Sequence, residues 1–478
     1  MLTLKQILTQ WRKGLAMGHI AQPSSHRTSC TPAGTPLLLL LLLPLALLLL
    51  LALPTRAQDI TPVLALPTPA QDITPADGSA DNALVRILRQ VEAHNPDLKA
   101  HARQTAAEKL DNRADNNLDD PTLEYAHVWD RDDGSITQGE LIVSQAFDFP
   151  TLYAARARRN RLRAGALDAE AQAYRQQVLL QAEELCLDII RLQQTQSLLD
   201  RRLRLAEDLT DAYDRRLQAG EASVLEANKI HLELLNARTL MRRNQSELAG
   251  KLKALTAMAG GEQLAPGRTL PGYAATPTDP AEHQLVNVGI DGLDQWPLQP
   301  LPDDAQALVT QLLAEDPALK ALDQQTQAAH RQLSASRQGW LPRLEVGYRR
   351  NTESGHPLNG VHLGLSIPLW NNRGRVKQAR ALEQQAGYRQ LDARQQVSAA
   401  LWQLCDEAAS LQAAINEYDQ TLAQQQDLDL LRQALDGGQI SLTEYLLSAD
   451  AVHDSLQALL DLQHQYHLTM ARLYRARL

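Results

Sequence analysis

The chain has 478 residues with only two Phe and 4% aromatic residues, too few large rings for several compact globular cores. Long solvated helices with narrow apolar seams are expected instead, made from its abundant Leu, Ala, Gln, Arg, Glu and Asp. A formal net charge of -9 gives no ground for expecting nucleic acid, since a phosphate-binding surface needs a clustered excess of Lys and Arg and none stands out.

Leu37 to Leu53 is an unbroken apolar run, preceded by Lys5, Arg12, Lys13 and Arg27 and followed by Thr55-Arg56-Ala57. Residues 1–57 read as a secretory signal with a long basic leader, cleaved near Ala57; an uncleaved signal anchor is the alternative, and Met17 is a second candidate start. No Cys follows the run at a lipidation spacing. Residues 58–81 continue a duplication in which Leu51 to Pro62 recurs as Leu64 to Pro75, and their Pro-rich composition predicts a disordered mature N-terminus.

A larger repeat organises the rest. Asn95-Pro96-Asp97-Leu98-Lys99-Ala100 recurs as Asp316-Pro317-Ala318-Leu319-Lys320-Ala321. Phe147-Asp148-Phe149-Pro150 recurs as Leu365-Ser366-Ile367-Pro368, and Gly220-Glu221-Ala222-Ser223 as Gly438-Gln439-Ile440-Ser441. Order and spacing persist, so residues 82–259 and 303–478 read as two copies of one unit joined by a Pro- and Gly-rich connector, 260–302.

Each copy reads helix, two strands, very long helix, tight break, long helix. Leu123, Tyr125 and Trp129, then Leu141, Val143, Phe147 and Phe149, mark the first pair of strands. Leu344, Val346 and Tyr348, then Val361, Leu363, Leu365, Ile367 and Leu369, mark the second, all with polar residues between. Strands apolar on one face and polar on the other suit a membrane barrel wall or, alternatively, a soluble hairpin packed on helices. Their polar turns, Arg131 to Ser135 and Asn351 to Gly355, fit external loops. Thr151 to Ala219 and Asn371 to Asp436 are helical throughout, roughly 100 Å each. Heptads at Leu185, Leu192, Leu199, Ala206 and Tyr213, and at Leu401, Ala408, Ile415 and Leu422, predict antiparallel coiled-coil pairs. Gly220, Gly437 and Gly438 are the hairpin tips, where glycine reaches backbone angles closed to other residues.

Four strands cannot close a barrel and unpaired strand edges cannot face lipid, so several chains must contribute. Two repeats of this unit, Trp340-Leu341-Pro342-Arg343-Leu344 entering a strand, and Gly438-Gln439-Ile440-Ser441-Leu442-Thr443-Glu444-Tyr445-Leu446-Leu447 after a long helix, resemble the outer-membrane efflux (TolC-like) family from about Asn82 to the C-terminus. The resemblance implies a mainly helical chain with membrane strands: a homotrimer with a twelve-stranded barrel in outer-membrane lipid and a periplasmic coiled-coil tube. It further implies docking to a periplasmic adaptor and an inner-membrane pump. Ser366-Ile367-Pro368-Leu369-Trp370-Asn371-Asn372-Arg373-Gly374, with the tip motif, is most similar to the branch serving cobalt-zinc-cadmium efflux.

On that resemblance, the family's constricting acidic positions fall on Glu226 and Glu444, two rings of three carboxylates in a trimer that would attract cations. Leu447 stands where some relatives have a second acid. The structural alternative is a solvated Glu in a helix's first turn. Adaptor docking falls on the tip turns, Gly220, Ser223, Gly437, Gly438 and Ser441. Asp461, His464 and His467, and His231 with Glu233, do not converge on one ion, so no metal site or cofactor is expected, nor any catalytic constellation. The function expected is a passive duct for heavy-metal cations. Alternatives are a duct for drugs or type I protein secretion, and a signal-anchored periplasmic coiled-coil scaffold.

Overall fold

The structure is a computed structural model that describes residues 83–129, 136–261, 293, 295–297, 301–302, 304–353, 356–368, 370, 373–423 and 427–478. The chain divides into two units, Met1–Pro69 and Ala70–Leu478, and every described residue lies in the second. The signal, residues 58–81, the turn Arg131–Ser135 and most of the connector lie outside the described residues.

The first repeat holds α1 (Ala83–His94), α2 (Pro96–Ala114), β1 (Thr122–Trp129), β2 (Ile136–Phe147), α3 (Pro150–Gln218) and α4 (Val224–Met258). The second holds α5 (Ala305–Glu315), α6 (Pro317–Arg337), β3 (Arg343–Glu353), β4 (His356–Ser366), α7 (Arg373–Ala423), α8 (Asp427–Asp436) and α9 (Leu442–Leu473), before a short 3-10 turn at Arg475–Arg477. The first helix expected in each repeat is therefore two helices. The repeated Asn-Pro and Asp-Pro pairs are the junctions: Asn95 Oδ1 accepts from the Asp97 and Leu98 amides at 2.9 Å, and Asp316 Oδ1 accepts from those of Ala318 and Leu319 at 2.8 and 3.2 Å. Proline at N1 needs no partner for an amide it lacks, so each junction stops one helix and caps the next.

The strands form one antiparallel sheet ordered β1-β2-β3-β4, in which β2 pairs with β3 across the two repeats. β2 and β4 end sooner than the alternation suggests: Phe149 is the N-cap of α3 and Ile367 lies past β4, because Pro150 and Pro368 donate no ladder hydrogen bond. Where β2 meets β3, Gly347 lies against Ser144; a Cβ there would sit 2.5 Å from the Val143 carbonyl oxygen.

Beneath the sheet, α2 packs on α3, α3 on α6, and α6 on α7. Further along, α4 packs on α3, α9 bridges α3 and α7, and α8 packs on α9. Four buried clusters hold this arrangement, the smallest being Leu203 and Ala206 of α3 against Leu234 and Ala237 of α4. One joins α1, the middle of α3 (Val178 to Leu192) and the end of α4. A second joins α5, the Leu401, Cys405, Ala408 and Ile415 stripe of α7, and the end of α9. A third joins the hairpin tips through Leu209, Tyr213, Ile230, Leu435, Leu442, Tyr445 and Ala449. Connector residue Leu293 is buried in the first cluster, and Trp296 stacks on His467 with ring centroids 4.9 Å apart. Cys186 and Cys405 are buried free thiols, and burial pushes both above the usual thiol range.

Candidate functional site: a four-stranded wall and a paired helical tip

Strand register sorts the sheet into two faces. Leu123, Val143, Tyr348 and Val361 line up across all four strands, with Phe147, Leu344 and Leu365 in a parallel row. The opposite face is polar: Glu140 Oε1 meets Arg349 Nε at 2.5 Å, the Ser144 hydroxyl donates to Glu345, and the Thr122 and Ser144 hydroxyls lie 2.7 Å apart. The apolar face is open along its length, with Leu123 and Leu363 each 70% and Val361 75% exposed. Strands β1 and β4 are the sheet's edges, so their outward amides and carbonyls need partners from another chain wherever water is absent.

The helical row also ends in unpaired apolar seams. On α4, Leu225, Leu232 and Leu235 are exposed at heptad-like spacing, and on α7 so are Leu382, Tyr388 and Leu391. No described helix is long and apolar enough to cross a membrane.

At the far end the two hairpin tips lie side by side. Gly220 (φ 76) and Gly438 (φ 67) take the left-handed conformation that lets the chain leave each helix. Each closes a Schellman-type turn, in which the Glu221 amide donates to Arg216 and the Gln439 amide to Ala434, both at 2.8 Å. Gly437 does not use its expected freedom; a Cβ there would sit 3.2 Å from the Gln433 carbonyl oxygen, so closeness is its constraint.

Ser223 and Ser441 each begin a capping box. The Ser223 amide donates to Glu226 Oε2 at 2.8 Å while the Glu226 amide donates to Ser223 Oγ at 3.2 Å, and Ser441 and Glu444 repeat both distances. These hydrogen bonds, led by the serine backbone, hold both carboxyls below the usual carboxylate range, so they stay anionic. In each case the other carboxylate oxygen takes no part in the box. Leu447 is 74% exposed.

One tip contact went unread in the sequence: Lys229, at the repeat position equivalent to Leu447, donates to Thr443 Oγ1 at 2.8 Å and ties the first tip to the second. Arg202 of α3 likewise meets Glu233 of α4 and Asp450 of α9, both at 2.7 Å. The histidines disperse. His464 pairs with Asp188 at 2.9 Å, Asp461 with Arg191 at 3.4 Å, and His231 with Asp214 at 3.6 Å. Burial, with His464 next, holds His467 down at about 4. Among the described residues no group of three or more His, Cys, Asp and Glu side chains is placed to hold a metal ion.

Residues 308–477 match the family model described as "Outer membrane efflux protein". No curated protein matches the sequence. Among solved structures, the transmembrane-channel-forming protein CusC superposes with a TM-score of 0.65 at 17% identity, covering 83% of this chain and 92% of that one. The outer membrane protein VceC of Vibrio cholerae gives 0.64 at 15% identity, over 82% of this chain and 95% of that one. The outer membrane channel MtrE of Neisseria gonorrhoeae, solved in its open state, gives 0.63 at 15% identity, over 83% and 89%. The fold is thus the one shared by these outer-membrane channels, a helical barrel joined to a β-barrel.

Proposed function

We propose that this TolC-like outer membrane efflux protein, a non-enzymatic duct, works as a homotrimer exporting heavy-metal cations across the outer membrane. The observation that carries the channel reading is the unfinished wall: four strands with two open edges and an exposed apolar face, above a helical row that ends in exposed apolar seams. About eight strands are the fewest that close around packed side chains, and three copies supply twelve. Joining β4 of one copy to β1 of the next removes both edges, turns the apolar face to lipid and encloses the polar face as the lumen. The same joining brings the two ends of the helical row in neighbouring copies together, covering the exposed seams that include Leu232 and Leu391.

At the tip, Glu226 and Glu444 give two rings of three anionic carboxylates, each using one oxygen in its capping box and leaving the other for a passing cation. This arrangement favours cations over anions and holds them loosely, as export requires. The exposed tip turns from Gly220 to Ser223 and from Gly437 to Ser441, flanked by Leu225 and Leu447, are the surface for a periplasmic adaptor, which links the duct to an inner-membrane pump. Metal cargo rests on the similarity of Ser366 to Gly374 and of the tip motif to the heavy-metal branch; Leu369, Asn371 and Asn372 of that stretch lie outside the described residues.

The test is growth of a strain lacking the gene on gradients of zinc, cobalt, cadmium, nickel and copper, and of hydrophobic drugs, with the cloned gene as rescue. Sensitivity to divalent metals alone is expected. Sensitivity to drugs alone would replace metal with drug as cargo while leaving the duct intact.

A further inference from the structure

Five arginines, at 156, 158, 159, 161 and 163, crowd the start of α3 directly beneath the sheet, a local excess hidden by the chain's acidic total. They divide by face. Arg156 meets Asp148 at 2.8 Å, and Asp148 also takes Arg343 at 2.8 Å, on the polar side of the sheet. Arg163 lines a groove on that same side with Asp111, Asp115 and Glu170, and buried Arg159 is bonded to Asp115 and Gln332.

Arg158 and Arg161 stand two and five residues beyond Arg156. At about 100° per residue they lie roughly 200° and 140° around the helix, on the side continuous with the sheet's apolar face. On α2, Arg113 falls between Asp111 and Asp115, which both turn into the groove, so it too faces outward. All three arginines are exposed, with no ion pair among the described residues. At the same end of the helical body, Trp340 and Trp370 flank the strands, 65% and 84% exposed.

Resting on the outer-membrane reading above, we infer that Arg113, Arg158 and Arg161, with Trp340 and Trp370, form an outward belt that binds anionic phospholipid headgroups where barrel meets helices. Three things carry it: continuity with the apolar wall, three exposed arginines without an ion pair among the described residues on that side, and exposed indole rings, which partition to the headgroup level. Each arginine near an anionic surface is worth roughly a fivefold preference. The belt thereby fixes how deep the barrel sits and orients the helical body below it.

The experiment reconstitutes the full-length protein in vesicles of phosphatidylcholine alone or with one quarter phosphatidylglycerol. Protease protection of the strands measures insertion, and native mass spectrometry measures the lipid retained. The wild type is expected to insert in both and to retain phosphatidylglycerol several-fold above its bulk share. The combined variant Arg113→Gln, Arg158→Gln, Arg161→Gln should insert equally and lose that enrichment, while the triple Lys variant keeps it. Equal retention of both lipids by wild type, or unchanged enrichment in the Gln variant, overturns the belt. Loss of binding to isolated peptidoglycan sacculi, with lipid enrichment intact, also overturns it, in favour of a cell-wall contact. Failure to insert in either vesicle overturns the outer-membrane reading itself.

Discussion

Replacing Glu183 with Gln should stabilise the helical body at neutral and alkaline pH and do nothing in acid. Glu183 lies on α3 between Leu179 and Leu187, only 4% exposed, alongside the largest buried cluster. Burial, and then the neighbouring Glu184, push its carboxyl from an ordinary 4.5 to about 7. Below about pH 4.5 the group is protonated in both folded and unfolded chains and costs nothing. Between that point and about pH 7 the unfolded chain ionises while the folded one holds its proton, so stability falls as pH rises. Above about 7 the whole cost is present, on the order of 3 kcal/mol. The amide of Gln never ionises and escapes it. The assay is thermal unfolding by circular dichroism at pH 4 and pH 8, comparing wild type with Glu183→Gln. The variant should match wild type at pH 4 and melt several degrees higher at pH 8. Equal melting at pH 8, or a variant weaker there, would refute the assignment of Glu183 as an uncompensated buried acid.

Gly347→Val puts a side chain against the Val143 carbonyl and Ser144 Cα, backbone atoms that cannot step aside, and should cost about 3 kcal/mol. Since the β2–β3 pairing joins the repeats' hairpins among the described residues, the proposed assembly should be lost from gels while helical content persists. Leu232→Glu, on the exposed seam of α4, should weaken association between copies without destabilising the hairpin, seen by sedimentation in detergent. Glu444→Gln removes a charge from each copy's tip, and the cation preference of the channel in planar bilayers should fall. An unchanged preference would leave Glu444 a capping residue alone.

Much of this fold is written in local pattern. Period-two alternation marks the strands, unbroken heptads mark α3 and α7, and two Gly-x-x-Ser turns mark the tips, because each signal arises within one segment. Finer boundaries followed from proline: Pro96 and Pro317 divide what reads as one helix, and Pro150 and Pro368 end strands whose alternation runs on. The tip glutamates were legible as residues but carry two readings. Ser223 and Ser441 three positions earlier are the capping-box pattern, so the capping role and the gating role proposed above fall on the same carboxylate.

Contacts joining distant segments were not legible. Trp296 on His467, Lys229 on Thr443, and Arg202 between Glu233 and Asp450 each depend on which helices lie side by side. The outward arginines were not legible for the same reason: which face of α3 each occupies is set by the helices packed against it.

The central claim is that several copies complete one transmembrane wall. Its most direct test is conductance of the purified, detergent-extracted complex in a planar bilayer, with the copy number measured on the same sample. Three copies and a steady conductance are expected. A water-soluble single copy that leaves the bilayer sealed would contradict the account.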